Sequence, residues 1–62
     1  MKLTAKAKKQ VEWLVKHCGQ GRVAGVLKDA TKIAKRSGAK NVGTRHVDAS
    51  IDIHNDLLDY YK

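Results

Sequence analysis

Proline and phenylalanine are both absent from these 62 residues, and there is a single cysteine. Without proline, only glycine or a polar turn is left to interrupt a helix. Cys18 alone excludes an internal disulfide and fits a reducing compartment. Aromatics are few, only Trp13, Tyr60 and Tyr61, so Val, Ile, Leu and Ala must supply the core. No apolar run approaches the roughly 20 residues of a membrane span. Residues 1–15 start basic but hold no unbroken apolar stretch, so no secretory signal is legible and the expected location is the cytoplasm. His17, Cys18, His46 and His54 show no zinc-site spacing, and the aspartates read as a solvated stripe rather than an acid–base pair. The chain is therefore expected to be no enzyme, with no metal, cofactor or small-molecule substrate.

Acidic residues are also scarce where the basic ones gather. Twelve of the thirteen Lys and Arg lie in residues 1–45, against Glu12 and Asp29. The remainder has Lys62 against Asp48, Asp52, Asp56 and Asp59. A strong positive field over two-thirds of a chain favours nucleic acid over a solvated face of mixed sign. A membrane-surface helix fits less well, because the basic stretch lacks bulky aromatics at interface positions.

The apolar spacing predicts an all-α fold of three short helices, at about 4–18, 22–37 and 45–61, in one domain spanning 1–62. Thr4 is placed to cap the first, where Val11, Leu14, Val15 and Cys18 share a face. Gly19-Gln20-Gly21 breaks it, since two glycines cost a continuous helix roughly 2 kcal/mol relative to alanine. Val23, Val26, Leu27, Ala30, Ile33 and Ala34 form the stripe of the second. Gly38 suits a left-handed helix stop, and Thr44 is read as the cap of a third helix burying Val47 and Ile51, with His54, Leu58 and Tyr61 in line. No stretch alternates with period two for long enough to make a strand-rich fold. A domain this small buries only about 60% of its unfolded surface, so a homodimer or larger assembly is expected.

The loop from Lys40 to Arg45 is the leading site candidate. Arg45 and His46 place positive charge in the first turn of a helix, which is unfavourable until an anion arrives. Free backbone N–H groups, the Thr44 hydroxyl, Arg45, Lys40 and Asn41 would meet a phosphate there. Lys35 and Arg36 close the preceding helix, where its dipole favours cations. Arg22 after Gly19-Gln20-Gly21 is a weaker phosphate candidate, and an ordinary turn is the preferred reading there. Lys2, Lys6, Lys9 and Lys16 read as diffuse charge. Trp13 is expected in the core or a dimer seam, with base stacking the less favoured role. Tyr60-Tyr61-Lys62 suits either a clamp on a partner helix or a frayed tail.

The segment from Val26 to His54 resembles the second half of a histone fold, as in archaeal and bacterial histones. The likeness rests on the apolar spacing, Gly38, the Lys40-Asn41-Val42 link and the immediate start of the last helix. It implies a nucleoid-associated protein that binds double-stranded DNA without sequence preference, with Lys40 and Asn41 as the loop residues on phosphate. Where histones pair a loop Arg with an early Asp of the last helix, this chain has Ala39 and His46. Gly19 and Gly21 also hold the central helix below histone length. The layout is similar as well to the C-terminal domain of light-independent protochlorophyllide reductase subunits and to the helical lids of AAA ATPases. Those likenesses imply the alternative, a protein-interaction module docking its basic face on an acidic partner.

Overall fold

The computed structural model describes residues 2–54 and forms three helices, α1 (Ala5–Cys18), α2 (Gln20–Arg36) and α3 (Thr44–Ile53). The all-α architecture matches the sequence expectation. Thr4 caps α1 as its position suggests, its Oγ1 accepting the Ala7 N–H at 3.2 Å.

The first helix stops because Gly19 adopts φ 96° and ψ 148°, a region effectively reserved for glycine. The break is narrower than the expected three-residue turn. Gln20 and Gly21 already belong to the first turn of α2, so that helix starts two residues earlier than its stripe indicates. Its other end follows the spacing closely. Gly38 takes φ 74°, with Ala39 N–H bonded to the Ala34 carbonyl and Gly38 N–H to that of Lys35. This is a Schellman stop, which satisfies carbonyls the helix leaves open.

Two expectations for α3 are corrected. Gly43, not Thr44, is the N-cap, and Thr44 is the first helical residue. The helix closes at Ile53, with His54 at φ −94° and ψ 83°. The expected unbroken run to 61 therefore stops early; Leu57, Leu58, Asp56, Asp59 and the Tyr60-Tyr61-Lys62 end lie outside the described residues.

The three helices close on one core within a single chain. Ala7, Val11 and Leu14 of α1 meet Val23, Val26, Ala30 and Ala34 of α2, with Val47 and Ile51 of α3 and Val42 of the loop. Ser50 is buried with them, its Oγ donating to the Val26 carbonyl at 2.7 Å, so α3 is bonded to the middle of α2. His54 Nε2 lies 2.7 Å from Asp29 Oδ2, and its ring passes 3.4 Å from where a Cβ on Gly25 would sit. Val15 departs from the expected face of α1, at 36% exposed, and Trp13, expected in the core or a dimer seam, is 42% exposed and outside the core. Residue 13 lies about 100° round the helix from Leu14 and farther still from Ala7 and Val11.

One long-range feature fixes the ends of α1 and α3. Leu3 and Val42 form an isolated parallel bridge, with Thr4 N–H on the Val42 carbonyl (3.0 Å) and Val42 N–H on that of Lys2 (2.9 Å). Both chain segments then turn directly into helices.

Candidate nucleic-acid interface

That bridge sets two helix N-termini side by side. Between them is an open cleft of about 460 Å³ lined by Thr4, Ala5 and Lys6 from α1 and by Gly43, Thr44, Arg45 and His46 from α3. Ala5 and Lys6 are the first two residues of α1, and Thr44 and Arg45 the first two of α3. A helix cannot use the N–H groups of its first turn internally. The positive ends of two helix dipoles thus flank one opening. Neither helix has an acidic residue in its first turn. Lys6 and Arg45 add side-chain charge, and both are exposed. This electrostatic arrangement accepts an anion and opposes a cation.

His46 holds the α3 side of the cleft in shape. Its Nδ1 accepts the Gly43 N–H at 2.9 Å. Nε2 is then the protonated nitrogen and donates to Ser37 Oγ at 3.2 Å; Ser37 in turn donates to the Ala34 carbonyl at 3.0 Å. Half of a capping box is thereby made by an imidazole instead of Glu or Gln. The same ring ties the end of α2 to the start of α3. Positions 39 and 46 lack an Arg–Asp pair, and a different link, from position 46 to Ser37, braces the loop.

The candidate residues separate into groups. Thr44 and Arg45 line the cleft. Lys35 and Arg36 in the last turn of α2, and Lys40 and Asn41 in the loop, are exposed but do not line it. Arg22 sits in the first turn of α2, about 20 Å along that helix from Arg36, so it is not part of the group. Thr4 and Lys6 are cleft residues that the sequence reading assigned to a cap and to diffuse charge. Their signal lies in the Leu3–Val42 pairing, which no local window contains.

Among the described residues no three His, Cys, Asp or Glu side chains gather to hold a metal. Among them, too, no helix is long and apolar enough to cross a membrane. No protein-family model, curated protein or solved structure matches this chain.

Proposed function

We propose that this protein binds the phosphate backbone of double-stranded DNA with little sequence preference, in the manner of a small histone-like nucleoid protein. The observation that carries the reading is the cleft shared by two helix N-termini, with no first-turn acid on either and with Lys6 and Arg45 beside it. A phosphate seated there meets backbone donors from both helices. Lys35, Arg36, Lys40 and Asn41 extend the positive surface along the adjoining loop and supply contacts to neighbouring phosphates. Such contacts position a protein on the duplex without reading its bases. A homodimer would present two such clefts to one duplex.

Titration of labelled duplexes of unrelated sequence tests the reading. Similar affinities and a steep loss with salt are expected. No binding at low salt would contradict it.

A second reading is a helical module that docks its basic face on an acidic protein. Closure of all three helices over one core inside a single chain favours it, because such a bundle has its own fold to present to a partner. Failure to bind DNA at low salt would leave this account in place.

A further inference from the structure

Trp13 has no part in the cleft or the core, yet its surroundings are ordered. Its ring lies over that of His17, with centroids 4.3 Å apart and planes inclined at 34°. At 42% exposure, much of the indole still meets solvent. Lys9 precedes it by four residues and Lys16 follows by three, so both are its neighbours on the helix surface. Lys6 lies two turns back on the same face, about 10 Å along the axis, and also lines the cleft. Glu12 projects about 100° round the helix from Trp13. Asp48, bonded to Gln10 at 2.6 Å, stands on the other flank.

We propose that the Trp13–His17 pair is a stacking platform for an unpaired base of a single-stranded nucleic acid whose backbone follows Lys6, Lys9 and Lys16. An aromatic face set in a row of cations matches a strand of alternating bases and phosphates. Duplex DNA offers phosphates but keeps its base faces stacked inside, so it engages the cations and not the indole. The charge pattern distinguishes this occupant from an apolar protein surface, which would leave Lys6, Lys9 and Lys16 with Glu12 as the one acid of α1 to balance them. The platform stands apart from the duplex reading, although Lys6 is common to both.

Trp13 is the only tryptophan, so its emission reports this surface directly. The experiment titrates the full chain with a short oligo(dT), a short oligo(U), a duplex, and heparin as a polyanion without bases. Saturable quenching by both single strands, and none by heparin or duplex, is the expected result. Trp13→Leu keeps an apolar side chain and helix propensity without the π face. It should weaken single-strand binding roughly tenfold or more and leave duplex affinity within about twofold. Arg45→Ala should do the reverse, so failure of the platform and failure of the cleft are separable. Single-strand binding without quenching, or equal binding by Trp13→Leu, would overturn the proposal. So would emission that changes with protein concentration and not with oligonucleotide, which would put Trp13 between two copies of the chain.

Discussion

Ser37 Oγ and His46 Nε2 lie 3.2 Å apart, and this contact joins the last carbonyls of α2 to the first turn of α3. His46 completes the link by accepting the Gly43 N–H. One side chain therefore sets both the helix cap and the wall of the cleft.

Replacing His46 separates those two roles. His46→Ala loses the cap and the Ser37 contact and should destabilise by about 1 kcal/mol, or roughly 4–8 °C in melting temperature. His46→Glu restores a capping-box acceptor and suits the helix dipole, so its stability should equal or exceed that of the wild type. The same carboxylate stands beside the cleft and should weaken duplex binding by about 1 kcal/mol, roughly fivefold. Thermal melts with duplex titrations check both. Parallel loss of stability and binding in His46→Glu would contradict the assignment.

The two glycines between α1 and α2 should respond with opposite sign. Gly19 has positive φ, so Gly19→Ala should cost about 1–3 kcal/mol. Gly21 is helical, and an added Cβ there meets nothing within 4 Å. Gly21→Ala should therefore stabilise by about 0.5–1 kcal/mol. Chemical denaturation of the two single variants measures this. Equal effects would mean that the break is not located at Gly19.

Those two residues also show what the sequence displays and what it hides. Glycine as the only available breaker, and the stripe from Val23 to Ala34, made the break and the second helix legible. Whether Gly19 or Gly21 stops α1 is a matter of φ, which composition does not reveal. Thr44 is a good cap by residue type, but the Leu3–Val42 bridge anchors the loop so that Gly43 takes that position. That same pairing, some forty residues apart in sequence, brings Lys6 to Arg45. Local periodicity carries no trace of it. Of the two places expected for Trp13, the core or a dimer seam, its angle from Ala7, Val11 and Leu14 excludes the core.

Ser50 carries the one buried polar side chain among the described residues of the core. Ser50→Ala should destabilise by about 0.5–1.5 kcal/mol through loss of the bond to the Val26 carbonyl. Ser50→Leu should cost more, because the site is fully enclosed and extra methylenes overpack it. Denaturation midpoints rank the three proteins; Ser50→Leu as stable as the wild type would contradict the packing.

Oligomeric state follows from size and surface. A 62-residue chain has a thin core, and Ile53 is 63% exposed. A homodimer at micromolar concentration is expected, with a melting point that rises with protein concentration. Sedimentation checks it. A 6.9 kDa monomer with a fixed melting point would make one copy the binding unit.

The salt dependence of duplex binding tests the cleft most directly. Each phosphate contact neutralised contributes a slope of about −0.9 in log affinity against log salt. Lys6→Ala with Arg45→Ala removes the side-chain cations at the two helix starts. This pair should flatten the slope by about one to two units per protomer, by the same amount on unrelated sequences. Lys28→Ala with Lys32→Ala, exposed on α2 and not lining the cleft, should flatten it less. Equal flattening by both pairs would show diffuse charge in place of a site, and an unchanged slope in the Lys6 and Arg45 pair would contradict phosphate binding between α1 and α3.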